Sequence, residues 1–251
     1  MYRGSRKHIL DWISQKNFTS ELLDLIAPIQ SSLPSEPIFQ PRGYDDAKEA
    51  RLEEWGPRYL PNLIEWTSLK KWWLAYSEGA NTPNWDLVVA TEFNGIPGLT
   101  LVEAKANLAE LKKDGKTLDK NPSADSTENH KKIGQAIEEA RSALETEIPG
   151  IKISRDIHYQ LSNRVAYSWK LASLGVPVLL VYLGFIGDQG ISDVGDPLTD
   201  VSMWESTMQD YIKPVLPTQF LSRWIPCVRS QMCVIIRSRQ ILEQSPSKNL
   251  Y

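Results

Sequence analysis

Two apolar runs joined by a turn constrain this chain more than any other feature. Asp86-Leu87-Val88-Val89-Ala90 leads through Asn94-Gly95-Ile96-Pro97-Gly98 into the run from Leu99 to Ala104. Apolar, β-branched segments bounded by Asn, Gly and Pro read as two antiparallel strands and their turn. The outer ends carry charge, with Asp86 at the entrance and Glu103 and Lys105 at the exit. Charges in buried strands are costly without a partner or a metal. With the turn centred between residues 95 and 96, facing residues sum to roughly 191, so Asp86 lies near Lys105 with Glu103 as a diagonal neighbour. Glu103 and Lys105 are two apart and share a face. Asp86 shares it only in a favourable register, since a one-residue slip inverts every side chain.

The chain has 251 residues, 41% hydrophobic and 24% charged, values of a globular protein able to bury a sizeable core. It has no run of about 18 apolar residues, so no membrane span is expected. The N-terminal stretch lacks the apolar centre of a signal peptide. Two cysteines, Cys227 and Cys233, suit a reducing compartment, and three histidines outside any Cys/His cluster argue against zinc. A cytoplasmic location is the expectation. The net charge of −3 disfavours coating nucleic acid by charge alone. Ile186 to Asp210 holds six acids and no Lys or Arg, whereas the segment from Tyr211 onward carries six bases against Glu243. That basic segment could meet phosphates, or the two segments could neutralise one another.

Helical spacing is expected over residues 5–27, from Asp45 to Trp55, from Leu63 to Tyr76, from Ser126 to Leu144 and from His158 to Leu174. The four-proline stretch from Pro28 to Tyr44 reads as a loop or extended linker. "GVPVLLVYLGF" and "QMCVIIRSR" read as strands, the acidic segment as an irregular excursion, and "QSPSKNLY" as a frayed tail. The layout predicts an α/β fold with a mixed central sheet flanked by helices. Three regions are expected: a helix and Pro-rich linker over 1–44, a core over 45–185, and an acidic then basic segment over 186–251 packed on the same domain.

Two carboxylates can hold Mg²⁺, which prefers oxygen ligands and keeps several waters. The ion activates water and stabilises charge on a phosphate oxygen, and a nearby Lys can orient the water or neutralise developing charge. Phosphodiester hydrolysis needs this set. The pattern Pro83-Asn84-Trp85-Asp86, a hairpin, then Glu103-Ala104-Lys105 resembles the PD-(D/E)xK, or restriction-endonuclease-like, nuclease superfamily. The resemblance covers roughly Asp45 to Phe185 and departs from the named motif in the two residues between Pro83 and Asp86. Nor is the Gln-x-x-x-Tyr helix of some branches reproduced, because Gln160 is followed four later by Arg164. It implies a restriction-endonuclease-like fold, Mg²⁺ or Mn²⁺ bound by Asp86 and Glu103, Lys105 as the catalytic amine, and nucleic acid, DNA first, as substrate. Of the other acid-x-Lys triplets, Asp46-Ala47-Lys48 falls on an expected helix and Asp114-Gly115-Lys116 in a polar loop. The competing reading of the hairpin is a cross-strand salt bridge at a solvated sheet end.

Members of that superfamily often recruit a further acid from a preceding helix. Glu53, Glu54 and Glu65 are candidates here, and Glu54 is preferred because Leu52, Trp55 and Tyr59 suggest close packing. In the helix from His158, Leu161, Val165, Trp169 and Ala172 form an apolar stripe. Gln160, Asn163, Tyr167 and Lys170 form a polar one without an acid, bordered by Arg164. By resemblance this helix flanks the active site, so Gln160, Asn163, Arg164 and Lys170 are candidates for nucleic-acid contact. Five tryptophans between residues 55 and 85 read as core in preference to a base-stacking platform. His130 and His158 read as structural. A silent nucleic-acid binder or a protein-interaction module on the same fold is the alternative function.

Overall fold

The computed structural model describes residues 2–27, 29–191, 193 and 195–241. Two helices, α1 (Gly4–Ile13) and α2 (Phe18–Leu25), stand where one was expected. The helix breaks where Ser14 Oγ bonds back to Leu10 O at 2.8 Å, and Phe18 turns edge-on against Trp12 with ring centroids 5.0 Å apart. From Ile29 the Pro-rich stretch forms no helix, and two short pieces of it, β1 (Ser31–Ser32) and β2 (Phe39–Gln40), line the outer edge of a later strand.

The helix expected from Asp45 to Trp55 begins later, as α3 (Leu52–Tyr59), because Ala50 O is taken by Trp85 N at 2.9 Å in a bridge. It is followed by α4 (Thr67–Trp73), shorter at both ends than the spacing predicted. The hairpin is β3 (Leu87–Phe93) and β4 (Ile96–Lys105). Next come α5 (Ala124–Leu144), α6 (Tyr159–Ser173) and β5 (Val178–Ile186), close to expectation. The acidic segment is not irregular throughout, since α7 (Val201–Ile212) starts on Asp200, whose side chain accepts from Met203 N at 2.8 Å. A two-residue β6 (Ile225–Pro226) and β7 (Gln231–Gln240) complete the fold, and the expected tail from Gln244 onward lies outside the described residues.

The seven-stranded mixed sheet runs β1-β3-β4-β5-β7-β6, with β2 also on β3. The β3–β4 and β6–β7 pairs are antiparallel; β4–β5 and β5–β7 are parallel. This is an α/β fold. Central β5 is buried along its whole length and apolar throughout except for one tyrosine hydroxyl, as a parallel strand covered on both faces must be. On one face Val88, Leu101, Leu180 and Val234 pack under α3 to α7; on the other Val89, Val102, Val181 and Ile235 pack under α1 and α2. The five tryptophans from Trp55 to Trp85 are all buried in the first of these cores, so they are packing residues. At Gly184, beside Lys105 in the sheet, a Cβ would come within 2.5 Å of Trp204, so only glycine lets α7 lie this close to the strand.

Candidate active site

The turn of the β3–β4 hairpin sets the site. Asn94 and Gly95 take φ of 52° and 76°, the positive values of a two-residue type I′ turn. Phe93 therefore pairs with Ile96, and Ile96-Pro97-Gly98 belong to the strand, not to the turn. The register moves by two residues from the sequence expectation. Leu87 pairs with Val102, and extending that register by one residue sets Asp86, just before β3, beside Glu103 and not opposite Lys105. A shift of two keeps the face, and Asp86, Glu103 and Lys105 project from the same side of the sheet.

They line a cleft of about 620 Å³ at the end of β4, beneath α6. Glu103 and Lys105 are buried, at 2% and 3% exposure, and Asp86 is partly open to the cleft. Lys105 Nζ meets Glu103 Oε1 at 2.5 Å. From α6, Arg164 Nε donates to Glu103 Oε2 at 2.6 Å. Ala104 N donates to Asp86 Oδ2 at 2.8 Å, and among the described residues Asp86 Oδ1 has no protein donor. Burial opposes the Glu103 charge, but Arg164 and then Lys105 hold its pKa below the usual carboxylate value. Asp86 lacks such pairing. Burial first, and the Glu103 charge second, push its carboxyl up to about 7.

The raised value has a testable sign. The folded protein keeps the Asp86 proton between the ordinary 3.8 and about 7, an interval in which the unfolded chain has lost it. The stability from this group is full below about pH 4, falls as pH rises towards about 7, and is level above that. In metal-free buffer the Tm of the wild type is expected to fall relative to that of Asp86→Asn through this window. Parallel curves would mean that Asp86 is well solvated.

Of the other candidates, Gln160, Asn163 and Arg164 line the cleft and Lys170 does not. Lys170 instead pairs with Glu139 at 3.2 Å and lies over the Trp72 ring at 5.1 Å, because it sits in the last turns of α6, about 10 Å along the axis from Asn163. Arg164 is only 8% exposed and fully engaged inside the protein, so it is not a free phosphate ligand. Gln160 Oε1 is buried without a partner among the described residues. Glu54 is also displaced from the cleft: with α3 starting at Leu52, it sits in the first turn and bonds to Lys48 at 2.8 Å and Arg51 at 2.9 Å. Glu53 accepts from Thr82 of the cleft wall and Glu65 from Thr67, and neither carboxylate lines the cleft. His158 packs on Tyr211, with ring centroids 5.0 Å apart, and lies outside the cleft with His130.

Sequence reasoning missed Glu49. The Ala50–Trp85 bridge brings it to the cleft wall, where its charge adds to the upward push on Asp86 and its carboxylate pairs with Arg6 at 2.5 Å. A helix drawn across residues 45–55 hid it. Tyr182 was also missed, although it is the only polar-tipped side chain in β5. It pairs in register with Glu103, and its buried hydroxyl has no partner among the described residues.

The basic C-terminal strand is spent internally. Arg237 donates to Leu25 O at 2.8 Å and Arg239 pairs with Glu21 at 2.8 Å. Acidic Asp188 and Asp193 pair instead with His8 and Arg3 of the N-terminal region.

No protein-family model, curated protein or solved structure matches this chain. The chemistry of the site therefore stands on its own residues. Five acids (Glu49, Asp86, Glu103, Glu110 and Asp114) face three cations (Lys105, Lys112 and Arg164) around the cleft, a surplus of negative charge. Asp86 Oδ1 is open, and each Glu103 oxygen keeps a second lone pair. This donor set suits a hard divalent ion with oxygen ligands. Among the described residues no three His, Cys, Asp or Glu side chains group tightly enough to hold an ion alone, so water and substrate oxygens would complete the shell. No described helix is long and apolar enough to cross a membrane.

Proposed function

We propose that this chain is a Mg²⁺- or Mn²⁺-dependent nuclease of the PD-(D/E)xK kind, with a restriction-endonuclease-like core, hydrolysing phosphodiester bonds of nucleic acid and of DNA first. One observation carries the reading: Asp86, Glu103 and Lys105 share one sheet face in an open cleft, on the strands from which the resemblance draws its catalytic set. Asp86 and Glu103 would hold the ion. When bound, it supplies an activated water and charge stabilisation at the phosphate. Lys105 supplies a buried ammonium whose worth is high because the surrounding dielectric is low. It can turn from Glu103 towards a phosphate oxygen that gains charge in the transition state. Gln160 and Asn163, on the cleft wall, can hydrogen-bond the phosphate or its attacking water.

A second reading has its own observation. Both Glu103 oxygens are already occupied by cations, an arrangement that also suits a silent nucleic-acid binder. The two separate in one assay. Purified protein is offered single- and double-stranded DNA and RNA with Mg²⁺ or Mn²⁺, with thermal shift measured in parallel. Cleavage with metal-induced stabilisation is expected. A protein that cuts nothing and shows no metal shift is not a nuclease.

A further inference from the structure

Arg164 does more than neutralise Glu103. Its Nη2 donates to Asn84 O at 2.7 Å and its Nη1 to Asn163 Oδ1 at 3.0 Å, while the guanidinium lies over the Trp85 ring at 4.5 Å. One planar side chain from α6 therefore grips the Asn84–Trp85 segment that carries Asp86 and, through Glu103, the strand that carries Lys105. A guanidinium suits this task because its donors are fixed in a rigid fork and its face stacks on an aromatic ring, which a lysine ammonium cannot reproduce. Lys105, in contrast, contributes a compact ammonium on a flexible stem and has one carboxylate partner among the described residues.

The geometry points to Arg164 as a positioning residue that fixes Asp86 and Glu103 relative to each other and keeps Glu103 paired when Lys105 turns to the substrate phosphate. Without it, moving Lys105 would strand a carboxylate that is 2% exposed. With it, Lys105 can leave Glu103 at small cost. The inference rests on the nuclease reading and assigns Arg164 no contact with substrate.

The test compares wild type, Arg164→Lys and Arg164→Ala, the last with and without added guanidinium ion. Kinetics on a cleaved DNA substrate give kcat and KM, and Mn²⁺ titration followed by thermal shift gives metal affinity without turnover. Arg164→Lys is expected to lose about 10–100-fold in kcat with little change in KM, and its Mn²⁺ midpoint should weaken by a similar factor, as for other residues that hold ligands in place. Guanidinium is expected to restore part of the Arg164→Ala rate. A raised KM with a shallower salt dependence would make Arg164 a phosphate contact and overturn the proposal, as would unchanged kcat in Arg164→Lys. If the Arg164 variants fail to fold, Asn163→Ala removes the Nη1 brace; with no DNA present any Asn163 contact to phosphate plays no part, so its Mn²⁺ midpoint in the thermal shift must weaken, or the proposal fails. A wild type that neither cuts nor binds Mn²⁺ defeats the nuclease reading itself, an outcome distinct from an active wild type with an indifferent Arg164.

Discussion

Lys105→Ala is expected to abolish metal-dependent cutting while leaving the folded protein and its response to metal intact. The ammonium lies 2.5 Å from Glu103 Oε1 and opens onto the cleft, where a phosphate would develop charge. Loss of one such electrostatic group commonly costs about 10²–10³ in rate. The fold should survive because Arg164 still pairs Glu103 Oε2 at 2.6 Å, so no carboxylate is abandoned in the interior. Both candidate metal ligands remain. At a metal concentration about 100 times Kd, stabilisation should be about 2.7 kcal/mol, or roughly 5–10 °C in Tm for a chain of this size. Asp86→Asn is the counterpart. It removes the carboxylate with an open oxygen, so cutting and the metal-induced shift should fall together. If Lys105→Ala cuts at the wild-type rate, Lys105 is an ion-pair partner of Glu103 and nothing more.

Much of this arrangement can be read in the residues. Asn94-Gly95 between two apolar runs forces a hairpin, and Glu103-Ala104-Lys105 at its end places acid and amine on one face because strand side chains alternate. The precise pairing could not be read, since Ile96-Pro97-Gly98 resemble turn residues but serve as strand; Pro97 is tolerated where it faces Glu92 near the hairpin tip. The face survived that error because the register moved by an even number. α7 was legible in principle. Asp200 is a helix-capping residue, and Trp204, Met208, Tyr211 and Ile212 follow at helical spacing, but the run of acids drew attention to charge over periodicity. Glu49 and Arg164 are another matter. Their roles depend on long-range contacts, a bridge to Trp85 and a reach from α6 to β4, that no local pattern encodes. A polar stripe named the right helix, yet only packing shows that Arg164 turns inward while Lys170 turns away.

Glu103→Gln is expected to cost the most stability of any single change at the site. Glu103 is the shared anion of two buried cations, Lys105 at 3% and Arg164 at 8% exposure. The amide fills the same space, so the loss is of charge and not of volume. Removing one member of a buried ion pair typically costs about 3–5 kcal/mol, because the partner stays desolvated and unpaired. Asp86 offsets part of this. The Glu103 charge is one of the causes that raise the Asp86 pKa, so without it Asp86 ionises more readily and can pair with Lys105. Arg164 gains less, since its Nε points at position 103 and its other donors are already committed to Asn84 and Asn163. Removing the stranded cation as well, in Glu103→Gln with Arg164→Met, should then recover stability relative to Glu103→Gln alone. A double-mutant cycle built on urea unfolding at neutral pH measures this coupling. Coupling below about 0.5 kcal/mol, with Glu103→Gln as stable as wild type, would show that water reaches the pair. Glu103 would then be a solvated charge at the mouth of the cleft, and the high electrostatic value assigned to Lys105 would fall with it.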